Sequence, residues 1–483
     1  MAARAMSYHV KRSPLAPFRL PFPVASQPLQ IVVMAAGQGK RMRSARPKAL
    51  HPLAGRPLLA HVLDTVRSLA PRALCLVVGH GGEAVRAAFA SAEITVVTQD
   101  PPRGTGDAVR VALDALPSDG VTLVANGDCP LIPATTFAAL AARAGEGRLA
   151  LLTARVPDPA GLGRVVRDAE GRVRAVVEEK DATPAQRSLD EIYTGALAAP
   201  TALLRHWVGT LRDDNAQHEF YLTDVVAQAV AEGISVEACA AAHPDDVLGV
   251  NDRAQLAAIE RIVQARLAHA LMQEGAGIAD PARIDVRGRL VCGRDVHIDV
   301  GCVFEGAVEL GDEVGVGPYC VLRDTKVGPG TQIAAYSHLD GAVIAAGARI
   351  GPYARLRPGA NLEAEVHIGN FVEVKASRIG PGAKANHLSY IGDATIGANV
   401  NVGAGTITAN YDGVNKHQTR IGDGASIGSN CVLVAPVTIG EGATIGAGST
   451  VTEDAPRDAL TLARARQVTL VGWKRPVRKP AAK

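Results

Sequence analysis

The sequence predicts two unlike domains in one chain, an α/β domain with a mostly parallel sheet followed by a parallel β-helix. Apolar runs alternate with helical stretches as far as about Asn251, and from Leu310 onward aliphatic or small residues recur every six positions. Gly is abundant at 50 residues while aromatics make up only 4%, which suits coils packed with small side chains. At 483 residues the chain is also too long for a single core.

The opening residues, "MAARAMSYHVKRSPLAPFRLPFPVASQPLQ", contain no acid and several Arg and Pro. Residues 1–28 read as a disordered leader or a misplaced start, with a transit peptide as the other reading. In the first domain, residues 29–252, "QIVVMAAG", "RALCLVVGH", "ITVVTQD", "GVTLVANGD" and "RLALLTARV" read as strands. Between them "LLAHVLDTVRSL" and "GTGDAVRVALDAL" read as helices. This alternation implies helices on both faces of the sheet, with ligands at the C-terminal ends of the strands. Residues 253–275 carry apolar side chains at helical spacing and form a linker helix.

The six-residue repeat occupies the span 276–456. It runs Leu310, Val316, Leu322, Val327, Ile333 and onward to Val402, with a few five-residue steps. It breaks across "TITANYDGVNKHQTR" and resumes at Ile421, continuing to Val451. A hexapeptide period is the mark of a parallel β-helix with about three hexapeptides per coil, each turning one side chain inward. Residues 408–420 are expected to leave the coil as a loop, and long loops on rigid scaffolds carry function. The tail, 457–483, is basic, and its Trp473 suggests docking onto a neighbour.

The net charge of +3 and the 20% charged residues argue against a nucleic-acid binder. The seven cysteines are scattered and never spaced C-x-x-C, which suggests reduced thiols in the cytoplasm. No apolar run approaches the roughly 20 residues of a membrane span.

Two stretches carry chemistry. "MAAGQGKRM", Met34 to Met42, fits neither G-x-G-x-x-G nor G-x-x-x-x-G-K-[ST]. Its glycines still let backbone N–H groups approach an anion, and Lys40, Arg41 and Lys48 supply cations. "GTGDA", "NGDCPL" and "GVNDR" strengthen that reading. In the repeat, "KANHLSYIGDATIGANVNVGAG" sets Lys384, His387, Ser389 and Tyr390 where a purely structural coil takes small residues. A lone His is usually structural, but Arg357, Lys375 and Asn401 lie one to three coils away. Residues about 18 apart stack in a solenoid, so these side chains can converge on a phosphorylated amine.

The order AAGxGxRM, PK, GTG, GD-x-PL, GR, VEEKDA, TG and GVN resembles the sugar-phosphate nucleotidyltransferases. Joined to hexapeptide repeats, it resembles the bacterial bifunctional N-acetylglucosamine-1-phosphate uridyltransferase/glucosamine-1-phosphate acetyltransferase family, from about residue 30 to the C-terminus. The resemblance implies a Rossmann-like nucleotidyltransferase domain, a left-handed β-helix and a cytoplasmic homotrimer. It implies small-molecule partners, with no nucleic acid and no membrane: glucosamine 1-phosphate, acetyl-CoA, N-acetylglucosamine 1-phosphate and UTP. By the same resemblance, Met34, Ala35, Ala36, Gly37, Gly39 and Lys48 bind the triphosphate, and Arg41 is catalytic. Asp128 and Asn251 hold Mg²⁺, Gln99, Gly104 and Thr105 recognise uracil, and Gly163, Glu178 and Tyr193 hold the sugar. In the second domain His387 is the general base, as suits an imidazole. Arg357, Lys375, Tyr390 and Lys416 grip phosphate, and Asn401 the sugar. Ala404, Asn410, Tyr411, Ser429, Ala447 and Arg464 contact acetyl-CoA, with an oxyanion donor at the Ala404 N–H.

The chain departs from the family pattern at Asn126, commonly Tyr, at Tyr193, commonly Asn, and at Asp107, commonly His. Milder departures are Ala409, usually Cys, and Arg466, where Pro is common. Two other readings are a sugar-1-phosphate nucleotidyltransferase with a structural or regulatory β-helix, and a scaffold with decayed sites. A purely structural helix has no use for His387, Lys375, Tyr390 and Asn401.

Overall fold

The structure, a computed structural model, describes residues 27–37, 39–79 and 82–476. Most of the expected leader and the last seven residues of the tail, 477–483, lie outside the described residues. The chain divides into two compact units, Met1–Val263 and Gln264–Lys483. The division falls within the helix Arg253–Gln273.

In the first unit the five strand segments predicted from sequence are all found, centred on Leu29–Ala35, with Ala73–Gly79 and Val121–Asn126 parallel beside it. Successive side chains point to opposite faces of a strand. Ile31 and Val33 therefore enter one core with Leu74, Leu76 and Leu123, while Val32 enters the other with Cys75, Val77 and Val124. Both faces are covered, which is why these strands read as continuous apolar runs.

Among the described residues the sheet has nine strands, four of them beyond the sequence reading. Glu191–Pro200 runs antiparallel between Val121–Asn126 and Leu149–Arg155. Its pairing shifts between Tyr193 and Leu197, where Gly195 adopts φ +86°. The hairpin of Arg164–Arg167 and Val173–Val177 and the edge strand Val236–Ala240 complete the sheet.

The second unit is a left-handed parallel β-helix. Arg355 pairs with Glu373, eighteen residues on, and Glu373 with Tyr390, seventeen on. Every aliphatic position of the six-residue series, from Leu310 to Val451, is buried in one continuous core. The ladder extends past residue 456 to the strand Leu460–Thr461.

Two readings of the repeat need correction. Thr408 remains inside the coil, 1% exposed, and its hydroxyl donates to Gly392 O at 3.0 Å. Thr419 and Arg420 are again paired in the ladder, so only about Asn410–Gln418 project. Ser389 is a structural corner residue, whose hydroxyl donates to His387 O at 2.9 Å as that of Ser377 does to Lys375 O.

One corner of the helix holds a column of side chains with left-handed backbone: Tyr319, Tyr336, Tyr353, Phe371 and Leu388. The four rings stack with centroids 5.3, 5.1 and 5.3 Å apart, a contact that offsets part of the cost of bulky residues at positive φ. All five side chains are exposed.

Candidate active sites

The first site lies at the C-terminal ends of the parallel strands. Gly127 N–H donates to Met34 O at 2.9 Å, and Val250 N–H to Asp128 O at 3.0 Å. These two bonds bring "GD" and "GVN" beside the glycine loop. Met34, Ala35, Ala36, Gly37, Lys48, Gln99, Gly104, Thr105 and Asp128 then line a single pocket of about 340 Å³. Gly39, at φ +60°, admits the Lys48 stem, since a Cβ there would stand 2.9 Å from Lys48 Cβ. Gly104 is pressed equally closely against Phe220 at φ +107°. The Thr105 hydroxyl accepts from the Leu222 N–H at 3.1 Å, so that side chain anchors its own loop. Arg41 is exposed on the turn Lys40–Met42 and is not among the pocket-lining residues.

Lys48 Nζ stands 2.6 Å from Asp128 Oδ2 and 3.4 Å from Asn251 Oδ1. Two oxygens from distant segments thus converge on one positive charge. A hard carboxylate and amide donor set of this kind fits Mg²⁺, whose remaining ligands come from phosphate and water.

Gly163, Glu178 and Tyr193 also come together. Tyr193 N–H donates to Gly163 O at 2.9 Å, and the Glu178 carboxylate lies beside Gly163. Burial, joined by Asp224, Asp181 and Glu219, raises the Glu178 carboxyl above its ordinary range, against the Thr223 hydroxyl that bonds it at 3.1 Å. The Tyr193 hydroxyl is buried and has no hydrogen-bond partner among the described residues, and burial followed by Glu178 raises it further from ionisation.

On the β-helix the expected residues form two groups. In one, Arg357 Nη1 meets Glu373 at 2.9 Å and Lys375 Nζ meets Asp393 at 3.4 Å, while the Asn410 amide also donates to Asp393. Gly392 lacks the Cβ that would collide with the Tyr390 ring, so the phenol lies along the strand toward the Lys375 column. Lys416 reaches in from the projecting loop, its ammonium held below the ordinary lysine value first by Lys375 and further by Arg357. The loop is stapled by Asp412, which bonds His417 at 2.7 Å and accepts from the Val414 and Asn415 N–H groups. Tyr411 stands exposed on it.

The other group follows one ladder position. Asn370 pairs with His387, and the same register continues to Ala404, Ser429 and Ala447. Arg464 donates to Ala447 O at 2.8 Å. His387 Nδ1 lies 2.8 Å from Asn370 Oδ1. Asn401 pairs with Lys384, three positions before Ala404 on the same face. Between His387 and the Lys375 column lie the Leu388 corner and the strand Tyr390–Gly392.

Residues 31–206 match the MobA-like NTP transferase domain family, and residues 418–453 match the bacterial transferase hexapeptide family. Among curated relatives, the bifunctional protein GlmU of Azoarcus sp. (strain BH72) is 55% identical over 93% of this chain and 100% of its own length. That of Alkalilimnicola ehrlichii is 57% identical over 94% of this chain and 98% of its own length. That of Cupriavidus pinatubonensis is 56% identical over 93% and 99%. The chain belongs to the GlmU family.

Asn126 and the strand that carries Tyr193 meet at Gly195. The Asn126 amide fills the space where a Cβ on Gly195 would fall, two residues along the strand from Tyr193. Sequence reasoning missed Asn370, Glu373, Gly392 and Asp393 around the second site. The one signal for Asn370 and Gly392 was their coil spacing from His387 and Lys375. It also missed Glu219, which lines the pocket beside the glycine loop and lies in no recognised motif.

Proposed function

We propose that the chain makes UDP-N-acetylglucosamine in two steps. The β-helix N-acetylates glucosamine 1-phosphate with acetyl-CoA, and the α/β unit then transfers uridylyl from UTP to N-acetylglucosamine 1-phosphate. The observation that carries this reading over a nucleotidyltransferase with a structural helix is the His387–Asn370 pair. Asn370 Oδ1 accepts from the imidazole Nδ1–H, which leaves Nε2 as the proton acceptor.

In acetyl transfer, Arg357, Lys375, Tyr390 and Lys416 hold the sugar phosphate. His387 Nε2 takes a proton from the amine as its nitrogen attacks the thioester carbonyl. The Ala404 N–H receives the oxyanion, a role supported by the one-coil register that sets Ala404 after His387. Collapse expels the coenzyme A thiolate, and the proton on His387 goes to that sulfur. Acetyl-CoA lies along the Ala404, Ser429 and Ala447 column, with Arg464, Asn410 and Tyr411 at its borders.

In uridylyl transfer, a phosphate oxygen of the sugar attacks the α-phosphorus of UTP in line, and pyrophosphate leaves. The glycine loop and Lys48 bind the triphosphate, with Arg41 closing over it from its turn. Asp128 and Asn251 hold Mg²⁺, which when bound neutralises phosphate charge. Gln99 and Gly104 face the base, and Gly163, Glu178 and Tyr193 the acetylated sugar.

The functional unit is a cytoplasmic homotrimer. The exposed column from Tyr319 to Leu388, next to His387, supports a neighbouring copy at that edge. Among the described residues no helix is long and apolar enough to cross a membrane. Two assays on the purified chain test the proposal: acetyl-CoA consumption with glucosamine 1-phosphate, and pyrophosphate release from UTP with N-acetylglucosamine 1-phosphate. Absence of the first supports the structural-helix reading, and absence of both the scaffold.

A further inference from the structure

We propose that Asp107 sets the choice of nucleotide base by holding the Gln99 amide in one of its two orientations. The inference rests on the reading that Gln99 faces the base. Gln99 lines the nucleotide pocket although it is only 3% exposed. Its Nε2 lies 2.9 Å from Gly104 O and 2.9 Å from Asp107 Oδ2. A backbone carbonyl accepts hydrogen bonds and cannot donate them, and the same holds for a carboxylate. The NH₂ group is therefore turned toward these two partners, and its orientation follows from their chemistry. The carbonyl Oε1 is left as the atom that Gln99 offers a ligand.

Asp107 is itself 4% exposed, and Arg110, one turn along the helix Thr105–Asp114, pairs with its other oxygen. A side chain able to donate as well as accept at this position would add nothing to the hold that Gly104 O has on the amide, whereas a carboxylate can only accept. An outward carbonyl calls for a base that presents an N–H. Uracil has one at N3, whereas cytosine carries a lone pair there. Reversing the amide would present NH₂ to the base and suit cytosine instead. Asp107 thus acts through Gln99 as a positioning residue.

The test is the ratio of kcat/KM for UTP to that for CTP, measured by pyrophosphate release with N-acetylglucosamine 1-phosphate. Asp107→Asn keeps the shape but lets residue 107 donate to a reversed Gln99. It is expected to lower the ratio about tenfold or more, mainly through KM for UTP. Asp107→Leu, which leaves Gly104 O as the remaining acceptor, should lower the ratio less, and Asp107→Glu should retain it. Equal falls for the Asn and Leu variants, or no fall for Asn, overturn the inference. If Asp107→Asn does not fold, the comparison of Glu with Leu decides, and equal ratios there overturn it. Gln99→Leu separates the underlying reading: an unchanged ratio in that variant means that Gln99 does not face the base at all.

Discussion

His387 and Asn370 stand one coil apart on the same ladder, with the imidazole Nδ1 2.8 Å from the amide oxygen. The pair gives the proposed base a defined tautomer before substrate arrives. His387→Ala should lower acetyl transfer by about 10²–10⁴-fold and leave uridylyl transfer intact. Asn370→Ala should lower kcat for acetyl transfer about tenfold or more by releasing the ring. Asn370→Asp keeps an acceptor and should keep most of the rate. Its carboxylate favours the imidazolium, so the acid limb of the pH–rate profile moves to higher pH. An unaltered rate in Asn370→Ala would show that the ring needs no partner.

Asp128 and Asn251, the proposed Mg²⁺ ligands, both turn an oxygen to Lys48 Nζ. Asp128→Ala is expected to cut pyrophosphate release about a hundredfold or more while acetylation continues at its normal rate. Normal pyrophosphate release would remove Asp128 from the metal site.

Lys416 should make phosphate binding pH-dependent at an unusually low alkaline range. Its value is lowered by Lys375, so it loses its proton before an ordinary lysine does. KM for glucosamine 1-phosphate should rise as pH climbs through that lowered value, and Lys416→Ala, which removes the like charge beside Lys375, should abolish the drift. Lys416→Ala should also raise this KM about tenfold at neutral pH, with little change in KM for acetyl-CoA. Parallel pH profiles for Lys416→Ala and the unmodified chain would refute the assignment.

Glu178 couples the stability of the fold to pH. Its folded-state value is raised, chiefly by burial, so the folded state holds the proton more tightly than the unfolded chain. Stability contributed by this group is present below the unfolded value and is lost as pH rises through the folded one. Glu178→Gln should therefore raise the melting temperature at neutral pH, and the advantage should vanish on acidification below the ordinary carboxyl range. Thermal melts across pH supply the check.

Gly195→Ala should destabilise the first unit by about 1–3 kcal/mol, because φ +86° disfavours a side chain and the new Cβ collides with Asn126. Adding Asn126→Ala should recover the collision part and leave the backbone part. Denaturant titration of both variants measures the division.

The β-helix was legible because each hexapeptide must turn one side chain inward, and all the aliphatic positions of that series are buried. Thr408 escaped notice because a buried threonine with a carbonyl partner looks like a loop residue on paper. Ser389 misled for the same reason in reverse, its hydroxyl being spent on a coil corner. In the α/β unit Glu191–Pro200 was not read as a strand at all, and its antiparallel direction leaves no mark on composition. The pocket residues were legible through motifs that the family shares. Asn370 and Gly392 were not, because each matters through a ladder partner seventeen residues away.

The projecting loop bears on how such an enzyme can change over time. Ile407 pairs with Val432, twenty-five residues on instead of seventeen, and the ladder on either side is undisturbed. A solenoid holds its register through neighbouring coils, so an insertion at a corner costs the core nothing. The segment carrying Tyr411 and Lys416 is a detachable cassette in a linear scaffold. Grafting a loop of different length or charge at Asn410–Gln418 could retune which sugar phosphate is accepted, leaving the fold that presents it unaltered.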